Sequence, residues 1–245
     1  MRRQLGAGTG RHLELVPHAL AADVQLWRVD LDAYAGGVAL DGLTADEHAR
    51  AGRFVLGRDG QRYLAARHAL RHVLAEALDR SPEDVGIEPD DCGKPQLVPP
   101  GSLHFNLGHS AHEALIGLSR DRPIGVDIEV VHDVVDAEAL AGALFTDDER
   151  AACSRAPQAL HARTFLACWT RKEACLKALG AGLSARLASI EVGCDPDLRV
   201  VAVQLGAERC EMTLQSLDLA GDVVGAVALA TPEAERLARE LFRRR

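Results

Sequence analysis

The sequence predicts an α+β protein of two similar lobes, residues 1–123 and 124–245, each a small, mostly antiparallel sheet packed with helices. Three observations carry this. Strand-like, then helical, then strand-like segments follow one another once in each half. Apolar and polar residues alternate in "DVQLWRVDLDA" (23–33) and in short runs from Ala188 to Leu229, the period of half-buried strands. Two helical stretches open on a threonine followed three residues later by glutamate, Thr44 with Glu47 and Thr146 with Glu149, the pattern of a capping box.

In chain order, the start over about residues 1–20 is ragged and is expected to be disordered. The segment 23–33 reads as a strand, and Thr44 to "AEALD" as helix interrupted near Gly57 and Gly60. "SPEDVGIEPDDCGKPQLVPPG" (81–101) carries too many turn residues for anything but loop and short strands. "SLHFNL", "HEALIGLS" and "IGVDIEVV" are strands, the last two separated by the turn "RDRP". Residues 137–180 are helical, and the charged "PEAERLARELFRRR" is a helix end or a frayed terminus.

Composition narrows the function. Hydrophobic content of 47% and charged content of 26% describe a soluble globular chain, and no apolar run approaches the ~20 residues of a membrane span. The N-terminus lacks the apolar stretch of a secretory signal, so a cytoplasmic protein is expected. The six cysteines show no CxxC pairing, which argues against zinc-ribbon or thioredoxin chemistry; they read as small apolar fillers. A net charge of −8 argues against nonspecific nucleic-acid binding but leaves room for an anion in a local basic pocket.

Of 28 lysines and arginines only three are lysine, Lys94, Lys172 and Lys177, and two of these flank Glu173 in "CWTRKEACLKALG". On a helical wheel Phe165, Leu166, Trp169, Leu176 and Leu179 form the buried arc. Lys172 and Glu173 fall inside it, Lys177 lies on its edge, and Thr170, Arg171 and Ala174 are expected outward. Charge on a buried face costs several kcal/mol unless partnered.

In "PIGVDIEVV" alternation places Ile124, Val126, Ile128 and Val130 on one face and Asp127 and Glu129 on the other. Either that second face is exposed, or the two carboxylates share a cation. With Glu173 they make three oxygen donors suited to Mg²⁺ or Mn²⁺, and Lys177, one turn on, suits a phosphate. Lys94 sits in "CGKPQL", either a surface turn or a loop that approaches a ligand closely. His109 in "FNLGHS" suits a phosphate contact or an exposed turn, and its spacing from His104 and His112 does not favour zinc.

"GKPQL", "FNLGHS", "IGVDIE", "FTDDE" and "WTRKEACLKALGAGLS", in this order from about Arg50 to Ser184, resemble the Sfp-type 4'-phosphopantetheinyl transferases. The resemblance implies pseudo-symmetric lobes with coenzyme A in the cleft between them and Mg²⁺ on Asp127, Glu129 and Glu173. It also implies a magnesium-dependent transfer of 4'-phosphopantetheine to a serine of an acyl or peptidyl carrier protein. The product would be 3',5'-ADP, and the service would be to polyketide, nonribosomal peptide or fatty acid synthesis. By the same resemblance Lys177 meets the diphosphate, with Lys172 beside the metal ligand, and Gly93, Lys94 and Pro95 border the adenine. His109 meets the 3'-phosphate, Arg50, Arg53 and Arg62 serve the phosphates and the nucleotide end, and Glu149 is the base for the serine. Gly108 departs from the serine common in close relatives, leaving its backbone N–H for a phosphate.

A monomer is expected, with a patch near Arg155, Arg163 and Arg171 as the carrier's docking face. The competing readings are a metal-dependent phosphodiesterase, which would hydrolyse coenzyme A without a carrier, and a binding module that has lost its chemistry.

Overall fold

The computed structural model describes residues 12–91, 93–180, 190–195 and 197–242. The start expected to be disordered lies outside them as far as residue 11, as do residues 181–184 of the last motif.

The first half builds a four-stranded antiparallel sheet in the order β1 (Leu13–Leu15), β2 (Gln25–Asp30), β6 (Glu113–Ser119), β5 (His104–Ser110). Its helices are α1 (Leu31–Gly37), α2 (Ala45–Ala51) and α3 (Gly57–Leu78). The gap between α2 and α3 falls where the glycines predicted it. A hairpin, β3 (Gly86–Pro89) with β4 (Pro95–Val98), occupies the turn-rich stretch. The second half forms the sheet β7 (Ile124–Val130), β10 (Val223–Leu229), β9 (Glu208–Ser216), β8 (Arg199–Leu205), also antiparallel. It carries α4 (Ala137–Leu144), α5 (Asp147–Arg155), α6 (His161–Leu179) and α7 (Pro232–Phe242).

Each sheet is covered by one long helix. Ala65, Ala69, Leu70 and Leu74 of α3 bury against Phe105, Ile116 and Leu118; Phe165, Leu176 and Leu179 of α6 bury against Val203, Leu214 and Ala226. A third core lies between the sheets, where Leu26 and Leu115 meet Ile124, Val126, Ile128 and Val227. Strands β6 and β10 are therefore buried on both faces, which is why their sequences run nearly continuously apolar. Gly117 makes the approach possible, since a Cβ there would lie 2.6 Å from Val126 Cγ1.

Two expectations are corrected. Thr170, Arg171 and Ala174 do not face solvent; all three are buried. Residues 190–194 cover that side of α6 as irregular chain rather than strand. The Val192 carbonyl accepts from Arg171 Nε and Nη2 at 3.1 and 2.9 Å, and Ser216 Oγ accepts from its Nη1 at 2.8 Å. Arg171 therefore has no place in a surface docking patch. Among the described residues no helix is long and apolar enough to cross a membrane.

Candidate active site

The contact between β7 and α6 is made backbone to backbone. A Cβ on Gly125 would sit 2.1 Å from the Ala174 carbonyl oxygen and 2.3 Å from the Ala178 nitrogen. That approach lets Asp127, two residues along the strand, reach Lys177 on the helix. Lys177 Nζ lies 2.6 Å from Asp127 Oδ1. The other oxygen, Asp127 Oδ2, is buried without a hydrogen-bond partner, and so is Glu173 Oε1. Burial pushes the Asp127 carboxyl up to about 6; Lys177 opposes this, and Glu173 and Glu129 add to it. Burial likewise raises Glu173, with Lys177 opposing and Glu129 adding.

The Lys177 ammonium pairs with Asp127 alone, and one oxygen each of Asp127 and Glu173 is buried without a donor. Those oxygens fit a hard divalent cation. Lys177 engages one Asp127 oxygen and the Ser110 hydroxyl donates to Glu129 Oε2. Among the described residues no three His, Cys, Asp or Glu side chains group as a ready metal site.

The junction of the sheets completes the surroundings. Asn106 Oδ1 accepts from Val126 N at 2.9 Å, and Ser110 Oγ from Val130 N at 3.4 Å. Asn106, Gly108 and Ser110 alternate along β5 and all turn toward β7. This period of two was the signal for Asn106 and Ser110, which the sequence reading passed over. Gly108 has a steric reason: a Cβ there would lie 2.9 Å from the Val126 carbonyl oxygen and 3.1 Å from Asp127 Cα. His109 is exposed, with Lys177, Glu129 and Arg50 as the charged groups around it. Arg50 lies over the Tyr63 ring, 5.5 Å from its centroid, and Arg53 is exposed just after α2.

Four expected site residues are engaged elsewhere. Arg62 makes a two-pronged pair with Asp32 of α1, at 2.7 and 2.5 Å, which holds the Asp32 carboxyl below its usual range. Lys94 Nζ lies 3.4 Å from Glu235 Oε1 of α7, and its N–H donates to Asp90 Oδ1 at 2.8 Å. Arg239 bridges the same two carboxylates, 2.9 Å from Asp90 and 3.0 Å from Glu235. The loop from Gly93 (φ 81°) to Pro95 is thus fastened to α7, and Lys94, Pro95, His104 and Arg239 line a cavity of about 420 Å³.

Glu149 and Lys172 form their own buried pair. Glu149 Oε2 lies 2.7 Å from Lys172 Nζ, and both side chains are wholly buried. The Glu149 oxygens also accept from Thr146 N at 2.9 Å, Val192 N at 2.7 Å and Gly193 N at 3.2 Å. Lys172 donates to the Ile190 carbonyl at 2.7 Å. In this arrangement Glu149 has no exposed oxygen to offer an incoming hydroxyl. The first lobe repeats the device: Glu47 caps α2 through Thr44 and is buried against Arg67 (2.7 Å) and Arg71 (3.2 Å) of α3.

The junction of the two α+β lobes thus gathers three carboxylates, an ammonium and a flanking histidine. Comparison with known proteins names the class. The family described as the 4'-phosphopantetheinyl transferase superfamily matches residues 123–228, and that described as 4'-phosphopantetheinyl transferase, N-terminal, matches residues 27–118. The chain is 35% identical over 182 residues to the 4'-phosphopantetheinyl transferase HetI of Nostoc sp., covering 72% of this chain and 76% of that one. It is 31% identical over 147 residues to psf-1 of Bacillus pumilus, covering 60% of this chain and 62% of that one. It is 27% identical over 191 residues to ffp of Bacillus subtilis, covering 78% and 84%. The chain belongs to the 4'-phosphopantetheinyl transferase family and is an enzyme of that class.

Proposed function

We propose that this enzyme transfers 4'-phosphopantetheine from coenzyme A to a serine hydroxyl of an acyl or peptidyl carrier protein, in a reaction that requires Mg²⁺ or Mn²⁺. The observation that carries the reading is the pair of unpartnered buried oxygens, Asp127 Oδ2 and Glu173 Oε1, beside the Lys177 ammonium. Asp127, Glu129 and Glu173 would hold the cation, which when bound supplies charge neutralisation at the diphosphate.

Lys177 exchanges its contact with Asp127 for the diphosphate oxygens, a compact ammonium matched to phosphate. His109, Arg50 and Arg53 lie on the exposed rim, where further phosphate charge is received, and the Gly93–Pro95 loop borders the nucleotide. The serine oxygen bonds to the β-phosphorus as the bond from that phosphorus to the bridging oxygen breaks. The electron pair leaves on 3',5'-ADP, and the serine proton passes to water in the cleft. Glu149 acts at one remove, positioning Lys172 next to Glu173 in the helix. The enzyme works as a cytoplasmic monomer and activates carriers of polyketide, nonribosomal peptide or fatty acid synthesis.

The test is to incubate the protein with coenzyme A, Mg²⁺ and a panel of unmodified acyl and peptidyl carriers, then weigh each carrier. A gain of the phosphopantetheine mass, abolished by EDTA and restored by Mg²⁺, is expected. No gain on any carrier, or release of phosphopantetheine without one, would overturn the proposal.

A further inference from the structure

The segment joining α2 to α3 presents apolar side chains to water. Phe54, Val55 and Leu56 follow one another there and are 39%, 99% and 54% exposed. A single exposed apolar residue is ordinary, but three in succession at one tip form a patch that calls for a partner. At that exposure Val55 adds almost nothing to the core, so stability does not account for it.

The tip is fastened in one shape. Arg53 N and Phe54 N donate to the Arg50 and Ala51 carbonyls at 3.1 and 3.3 Å, and Asp59 N donates to the Leu56 carbonyl at 3.0 Å. The Phe54 ring lies 5.8 Å from that of Tyr63, whose face carries the Arg50 guanidinium. Gly60 brings the start of α3 against the end of α2, since a Cβ there would lie 2.6 Å from the Ala51 carbonyl oxygen. An apolar surface already held in place binds without the cost of first being ordered.

Charge and position indicate the partner. Arg53 and Arg58 flank the tip and are exposed, a local basic surface on a chain whose net charge is −8. Arg58 keeps only a loose contact with Asp59, at 3.9 Å. Arg50, behind the tip, is one of the charged groups around His109 at the edge of the carboxylate cluster. Two of the three arginines expected to form a docking face on the second lobe are engaged within that lobe. Arg171 is buried, and Arg163 is held by Asp222 and the Val223 carbonyl, each at 3.2 Å.

We infer that the Phe54–Leu56 tip, with Arg58 beside it, is a docking surface for the carrier protein, which sets an acidic and apolar surface near its serine against it. The inference deepens the proposed transfer reaction and rests on it. Aromatic and aliphatic anchors beside arginine are the composition of interface cores. Opposite charge on the partner steers the encounter and fixes the register of the two surfaces. The tip holds neither the cation nor the diphosphate, so its loss is felt in carrier binding alone.

The test measures KM for an unmodified carrier at saturating coenzyme A and Mg²⁺. Wild-type enzyme is compared with Val55→Glu, Arg58→Glu and, as a control, Val200→Glu of β8, an exposed valine on the second lobe. Val55→Glu and Arg58→Glu should each raise the carrier KM about 10-fold, with the KM for coenzyme A and the urea midpoint unchanged. Val200→Glu should change none of the three. With p-benzoylphenylalanine in place of Val55, irradiation should link the enzyme to a carrier peptide next to the modified serine. An unchanged carrier KM in Val55→Glu, an equal rise in Val200→Glu, or a coenzyme A KM that rises alongside would overturn the docking surface and leave the transfer reaction standing. A photo-link between two copies of the enzyme in place of the carrier would do the same, by making the tip a self-association surface. Wild-type enzyme that modifies no carrier would overturn the transfer reading itself and the docking surface with it.

Discussion

Replacing Lys172 by methionine removes one member of a fully buried ion pair and leaves the other behind. The Glu149 carboxylate would keep its bonds from Thr146, Val192 and Gly193 but lose the ammonium at 2.7 Å, with no water to take its place. Breaking one side of such a pair costs about 3–5 kcal/mol. Against a total stability of roughly 5–15 kcal/mol this is a large fraction. With a urea slope of about 2 kcal/mol per M, the midpoint should fall by roughly 1.5–2.5 M, read by far-ultraviolet circular dichroism. Glu149→Gln should cost a comparable amount, because it takes the carboxylate charge away from the buried Lys172 ammonium. The double variant should cost clearly less than the sum of the two, as for groups in direct contact. A Lys172→Met midpoint shift below about 0.5 M, or strict additivity, would refute the reasoning, since neither fits a pair whose members need each other. If Glu149→Gln kept its stability and still lost carrier modification, Glu149 would be the base rather than a strut.

The remaining predictions address the cluster, the core and the lobe junction. Lys177→Met should lower kcat/KM for coenzyme A by about 10²–10³-fold with the urea midpoint little changed; an unaltered rate would remove Lys177 from the diphosphate. Asp127→Asn should abolish Mg²⁺-dependent modification, and isothermal titration should show its Mg²⁺ affinity lost; a retained affinity would count against Asp127 as a ligand. His68, buried and bonded to the Tyr34 hydroxyl at 2.8 Å, is held at about 4, chiefly by burial and then by His72. Its folded pKa lies below the unfolded 6.5, so the stability it supplies is complete above pH 6.5 and is lost as pH falls toward 4, about 3 kcal/mol in all. His68→Gln should flatten the acid limb of the stability curve by that amount, and an unchanged limb would refute the assignment. Gly125→Ala should force α6 away from β7, costing about 1–3 kcal/mol and most of the activity; full activity would show that the close approach is dispensable.

Much of this protein is readable along the chain. The strands come from alternation, the helix starts from Thr44 and Thr146 with their glutamates, and the break near Gly57 from the glycines. The acidic and ammonium groups that meet at β7 and α6 are legible too. Alternation sends Asp127 and Glu129 to one side of a strand, and the wheel sends Lys172 and Glu173 into a buried arc. Such features depend on neighbours within a few residues, where the period of the element decides which way a side chain points.

What the chain alone could not decide is which buried charge finds which partner. Lys172 and Lys177 are five residues apart in similar surroundings, yet one pairs with Glu149 inside the lobe and the other with Asp127 at the cleft. Arg171 reads as a surface residue until residues 190–194 fold over it, where the Val192 carbonyl takes two of its donors and Ser216 Oγ a third. Each of these outcomes hangs on contacts between segments far apart in the chain. There the cost of leaving a charge or a polar group unpaired selects the partner, and only the packed fold determines which partners are within reach.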